Sequence, residues 1–242
     1  MDDNLEQLLK NLRLTKIHEI MDHELARASK KQSSYTELLS RLFRAQYLWK
    51  QQRSMEYRIR NANLPERWTL ESFPFKKQPG VRAKTIRELA QLDFIPRAEN
   101  LVLSGDPGVG KTGIATAILL KALENGYRGR FIKAQDLFDD MYASLADRSS
   151  RKLLNRLAAL DVLVIDELGY LNLRPEQCNI FFKLMDERYR RKPTIITTNL
   201  IYDDWYSFLG NKKMVEALLD RLRHRCHTIR IEGPSLRAPE IQ

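Results

Sequence analysis

The sequence predicts an α/β fold, a parallel β-sheet flanked by helices, preceded by a small all-helical N-terminal domain. Three observations carry this. From Val81 onward, short β-rich runs alternate with helical stretches. Runs such as VLVI at 162–165 are apolar at every position, so both strand faces need cover, which helices on a parallel sheet supply. The first sixty or so residues instead repeat apolar side chains at helical spacing.

In that N-terminal part Leu5, Leu8, Leu9, Leu12 and Leu14 recur near helical period, and Ile17, Ile20 and Met21 continue it. A second helix is expected from Ser34 to about Ile59, and Ser34 with Glu37 is a capping-box signature for its start. Its charge is mostly basic (Arg41, Arg44, Lys50, Arg53, Arg58, Arg60), with Tyr47, Trp49 and Tyr57 interleaved. That pattern fits either a basic interaction surface or a solvated face whose aromatics enter a small core. Pro65 ends the helix, because proline disfavours a helical conformation in the residue before it. The domains expected are therefore 1–63, helical, a linker at 64–80, and 81–242 for the sheet. Strands are expected at 100–104, 130–133, 161–165, 194–198 and 228–231. Helices are expected between them at 112–125, 134–146, 150–159, 175–190 and 212–223.

A chain of 242 residues can bury a real core, and 43% hydrophobic with 30% charged residues is ordinary for a folded soluble protein. The longest apolar stretches are too short to span a bilayer, and MDDNLEQLLK has no signal-peptide core, so a cytoplasmic protein with no membrane partner is expected. Cys178 and Cys226 lack metal-ligand spacing and fit a reducing compartment. The formal charge of +10 points to a polyanionic partner, of which nucleic acid is the commonest, although many basic proteins have none.

The segment from Gly105 through Asp106, Pro107, Gly108, Val109, Gly110 and Lys111 to Thr112 matches GxxxxGK[ST] in full, after a predicted strand and before a predicted helix. Composition alone would produce such a match in about one chain of this size in a hundred. Glycines there let backbone approach a ligand closely, and successive N–H groups converge at the positive end of the following helix. ATP is the expected ligand, with Lys111 reaching the β- and γ-phosphates and the Thr112 hydroxyl facing Mg²⁺. A buried strand then ends in Asp166 and Glu167. The first suits Mg²⁺ and the second suits orienting and deprotonating water, a pairing that argues for hydrolysis over simple binding. A further apolar strand ends at Asn199, whose amide can bridge the water and the γ-phosphate if the two strands lie close together.

These residues together resemble the AAA+ ATPases of the DnaC/IstB group, nearest to the IstB-type helper ATPases of bacterial insertion sequences. The resemblance covers nearly the whole chain, including TLESFPF, GDPGVGKT, VLVIDELGYL, FFKLMDERY, TIITTNL and ALLDRLRHRC. It implies that Phe73 and Phe75 lie near the adenine and that Asn199 is the sensor. It also implies that Arg221 reaches a neighbouring subunit's γ-phosphate, so that activity depends on an ATP-dependent homo-oligomer. The helical insertion at 134–159 is then expected to meet double-stranded DNA through Lys133, Arg148, Arg151, Lys152 and Arg156, mainly at phosphates. Two departures stand out. Gly113 occupies a position where relatives usually carry His, and Ser235-Leu-Arg237 replaces a usual Ser-Tyr-Arg, which leaves a sensing role for Arg237 in doubt. The function implied is an ATPase that assembles on DNA and recruits a transposase. The alternatives are a helicase loader, a non-hydrolysing DNA scaffold, and a small-molecule kinase.

Overall fold

The computed structural model describes residues 3–169 and 173–237, and its contacts divide the chain into two compact units, Met1–Tyr57 and Arg58–Gln242. Tyr170 and Leu171, in the VLVIDELGYL segment, lie outside the described residues.

The first unit holds α1 (Asp3–Asn11), α2 (Thr15–Lys31) and most of α3 (Tyr35–Asn61). The expected capping box forms, with Ser34 N–H donating to Glu37 Oε2 at 3.1 Å and Glu37 N–H to Ser34 Oγ at 3.3 Å. Leu14 cannot cap α2 with its side chain. The buried Gln46 of α3 does so instead, its Oε1 accepting from the Lys16 and Ile17 N–H groups at 2.9 and 3.1 Å. The core here is Leu9, Ile17, Met21 and Leu42. Tyr47 and Tyr57 are exposed and Trp49 half-buried, so the α3 tyrosines stand on the surface and not in a small core.

The second unit starts with the last turn of α3 and contains a short 3₁₀ turn at Phe75–Lys77 and α4 (Ala83–Leu89). It continues through β1 (Asn100–Gly105), α5 (Lys111–Glu124), β2 (Gly129–Lys133), α6 (Ala134–Ala146), α7 (Ser150–Ala158), β3 (Val162–Leu168) and α8 (Pro175–Arg188). The remaining elements are β4 (Thr194–Thr198), α9 (Asp204–Leu209), α10 (Lys212–His224) and β5 (Cys226–Ile231). Each expected strand and helix of this part is present. The short α4 and α9 were not expected, since seven and six residues are too few to show a helical period.

All strand pairs are parallel, in the order β2-β3-β4-β1-β5. Side chains alternate between two cores. Leu163 and Ile165 enter one with α6, α7, α8 and α10, while Val162 and Val164 enter the other with α4 and α5. That is why β3 is apolar at successive positions. The order matters for function, because β4 separates β1 from β3 and its C-terminal end lies between the two motifs those strands carry.

Arg188, 1% exposed at the end of α8, fastens the opposite edge of the sheet. Its Nε donates to Thr194 Oγ1 at 3.0 Å, Nη1 to the Leu157 and Leu160 carbonyls at 2.8 and 2.9 Å, and Nη2 to the Pro193 carbonyl. Burial pulls its pKa down to about 10, still protonated at neutral pH. An Arg188→Leu variant leaves these acceptors without their donor. The expected loss is about 3 kcal/mol of stability, read from the denaturant midpoint.

Candidate functional site

β1 ends at Gly105 and α5 begins at Lys111, so the glycine-rich loop spans the gap at the C-terminal edge of the sheet. Gly108 and Gly110 have φ of 83° and 98°, a region that side chains disfavour, and a Cβ on Gly110 would come within 2.7 Å of the Phe73 ring. Gly110 also offers no side chain to cap α5, which leaves first-turn N–H groups available to an anion. The Lys111 ammonium arches back over the loop to the carbonyls of Gly105 at 2.8 Å and Asp106 at 2.7 Å. Burial pulls its pKa down, and the nearby carboxylates of Asp166, Asp106 and Glu167 oppose that shift.

Thr112, in the first turn of α5, faces Asp166, its hydroxyl 2.9 and 3.2 Å from the two carboxylate oxygens. β3 and β4 run in register to Ile165↔Ile196 and resume at Leu168↔Thr198, so β3 carries one extra residue across Asp166–Glu167. Glu167 takes up this bulge at φ 59° and donates its N–H to Thr197 Oγ1 at 2.9 Å. Asp166 is consequently 2% exposed and turned toward Thr112, while Glu167 faces solvent. Burial pushes the Asp166 carboxyl up, against hydrogen bonds from Thr197 and Thr112. An anionic oxygen and a hydroxyl this close are a hard donor set of the kind Mg²⁺ takes, so the residues fit that ion. Asn199 lies one residue past β4, and β4 pairs with β1 through Ser104↔Thr198. Its Oδ1 is buried with no hydrogen-bond partner among the described residues.

The walls come from distant parts of the chain. Phe73 is buried and meets Phe75 edge-on at 4.8 Å. Trp68 lies 3.6 Å from where a Cβ on Gly113 would stand, ordinary packing distance, so the indole and the Phe73 ring border this position. The fully buried Gln78 donates to the carbonyls of Val109 at 3.2 Å and Pro234 at 3.0 Å, tying loop to C-terminal segment. Leu236 N–H donates to the Gly108 carbonyl at 2.8 Å, and Arg237 is near enough to help lower the Lys111 pKa. Trp68, Gln78, Thr197 and Leu236 escaped the sequence reading. For Thr197 the polar end of TIITTN was the available signal, whereas for the others there was none.

The model of the IstB-like ATP binding protein family matches residues 7–241. The chain belongs to this family. An ATP-binding protein of insertion sequence IS21 from Pseudomonas aeruginosa is 37% identical to it over 98% of this chain and 89% of the relative. One of insertion sequence IS5376 from Geobacillus stearothermophilus is 38% identical over 88% and 85%. Among solved structures, the DnaC helicase loader superposes with a TM-score of 0.54 at 28% identity, over 62% of this chain and 88% of that one. The sheet of this IstB-like protein is thus an AAA+ P-loop fold. Among the described residues no helix is long and apolar enough to cross a membrane.

The other expected site residues of the IstB-like chain lie away from the phosphate loop. Arg221, in the last turn of α10, pairs with Asp186 at 3.0 Å beside a small cleft of about 110 Å³. Asn100 and Thr194, the first residues of β1 and β4, line the same cleft, which places Arg221 at the N-terminal edge of the sheet. Strands of this length put about 17 Å between that edge and the loop. Lys133 ends β2 in register with Asp166, at the edge that carries the acids. Arg148, at φ 58°, lies in the α6–α7 turn, while Arg151, Lys152 and Arg156 cover the exposed face of α7 opposite the buried Leu153, Leu154 and Leu157.

Proposed function

We propose that this protein hydrolyses MgATP between neighbouring copies of itself, assembles on double-stranded DNA when ATP is bound, and recruits a transposase. The observation that carries the proposal is the separation just described. Loop and acids occupy one edge of the sheet and Arg221 the other, so a single copy cannot bring Arg221 to its own phosphates, whereas two copies stacked edge to edge can.

Within one copy, backbone N–H groups of residues 105–112 and the Lys111 ammonium hold the β- and γ-phosphates. Thr112 and Asp166 hold Mg²⁺, which when bound neutralises charge on the phosphate oxygens. Phe73 and Phe75 pack near the adenine. Glu167 takes a proton from the attacking water, Asn199 orients that water, and Arg221 of the next copy completes the charge balance. The exposed Arg148, Arg151, Lys152 and Arg156, with Lys133, contact DNA phosphates and carry no base readout. A transposase is the partner that fits relatives belonging to insertion sequences, since such elements move by transposition. The likeness to a helicase loader favours a second reading, with a replicative helicase as the partner. Pull-down of one or the other separates the two.

Particle size and DNA binding measured with ATP, with ADP and without nucleotide test the proposal. Large assemblies on DNA are expected with ATP only, and none with Lys111→Ala. With five phosphate contacts per copy, affinity should fall about 500-fold between about 50 and about 200 mM salt and change little with DNA sequence. Assembly indifferent to nucleotide, or unchanged in Lys111→Ala, would remove the mechanism.

A further inference from the structure

We infer that Thr197 is a positioning residue that fixes the metal-side carboxylate and the water-side acid to each other through one hydroxyl group. The inference deepens the ATP-hydrolysis reading above and rests on it.

Thr197 is fully buried near the end of β4, the strand between the loop strand and the acid strand. Its Oγ1 has two partners of opposite kind, the Glu167 N–H at 2.9 Å and Asp166 Oδ1 at 2.5 Å. A backbone N–H can only donate, so the single hydroxyl proton must go to Asp166. The direction of both bonds is therefore settled. One atom holds the Asp166 carboxylate on the inner side and the Glu167 backbone on the outer side.

The Thr112 hydroxyl is a second donor to Asp166, but its oxygen stands at the loop, where it must also serve a cation. That bond is exchangeable as the site fills and empties. Thr197 lies too deep to trade places, so its bond to Asp166 persists in either state. On the other side, Glu167 sits in a left-handed backbone conformation that a side chain disfavours, and its N–H bond to Thr197 opposes relaxation of the bulge. Loss of the hydroxyl frees both acids at once. Loss of the methyl group alone leaves both bonds intact.

Thr197→Val and Thr197→Ser are compared for hydrolysis and for binding of a fluorescent ATP analogue with and without Mg²⁺. Thr116, buried in α5 with no hydrogen-bond partner for its hydroxyl among the described residues, supplies the control Thr116→Val. For Thr197→Val, kcat is expected to fall about 10- to 100-fold with KM changed less than about threefold, and the gain in affinity that Mg²⁺ brings to fall about tenfold. Metal-free nucleotide binding is expected to stay at the parental value. Thr197→Ser is expected within about threefold of the parent in both measurements, and Thr116→Val to behave as the parent. Parental kcat and Mg²⁺ dependence in Thr197→Val, or equal damage from Val and Ser, would overturn the inference. A parent chain that binds MgATP but does not turn it over would sink the hydrolysis reading instead, and the Mg²⁺ dependence would still decide the role of Thr197.

Discussion

Replacing Glu167 by Gln is expected to lower ATP hydrolysis by about 10²- to 10⁴-fold while leaving nucleotide binding and ATP-dependent assembly on DNA intact. The substitution keeps the shape of the side chain and the backbone N–H that donates to Thr197, so the bulge at Asp166–Glu167 should survive. Its one chemical effect is to remove a group that can take a proton from water. Asp166 cannot substitute, because it is buried and turned toward Thr112 on the metal side, away from the solvent-facing position of Glu167. If hydrolysis dismantles the assembly, Glu167→Gln assemblies should outlast parental ones by a factor similar to the loss in turnover. Phosphate release and the lifetime of particles on DNA after dilution measure the two halves. An unchanged basal rate would show that Glu167 is not the base and would favour a scaffold in which ATP is structural.

The parts of this site legible in the sequence are those whose pattern is local in the chain. GDPGVGKT can be read because its spacing is a local pattern with positive φ at Gly105, Gly108 and Gly110, and VLVIDE because an apolar run that ends in two acids is conspicuous. The contacts that exclude a side chain at those glycines, from Phe73, Ile231 and Ser235, are remote and could not be read. The bulge at Glu167 could not be read. A period of two already places Asp166 and Glu167 on opposite faces, and nothing in the letters D and E announces one extra residue or a φ of 59°. Strand order was equally hidden, since sequence presents β1 to β5 in a line while pairing sets β4 between β1 and β3. Thr197 acquires its position only from that order. Arg237 is a similar case: its motif departs from Ser-Tyr-Arg, yet its neighbour Leu236 donates to the Gly108 carbonyl, which holds the segment on the phosphate loop and within electrostatic reach of Lys111. In α3 the helical period was plain, but period alone did not say which apolar residues are buried. Leu42 enters the core, while Leu39 and Phe43 remain more than half exposed.

For Arg221→Ala, turnover should drop by about 10³- to 10⁵-fold, with ATP affinity of the isolated chain unchanged. The asymmetry follows from geometry, since Arg221 and the phosphate loop occupy opposite edges of one sheet and removing the guanidinium leaves its own copy's loop untouched. In the isolated chain Arg221 is held by Asp186 at 3.0 Å, with both side chains about half exposed. Such a pair contributes about 1 kcal/mol or less, so leaving it for a neighbour's phosphates costs little. A mixing experiment separates this arrangement from action within one copy. Arg221→Ala keeps Glu167 and Glu167→Gln keeps Arg221, so in a one-to-one mixture about a quarter of head-to-tail interfaces combine an intact acid with an intact arginine. Two nearly inactive proteins should then recover about a quarter of parental turnover on mixing. If both residues served the same copy's ATP, no interface in the mixture would be complete and the rate would stay at the level of the separate variants.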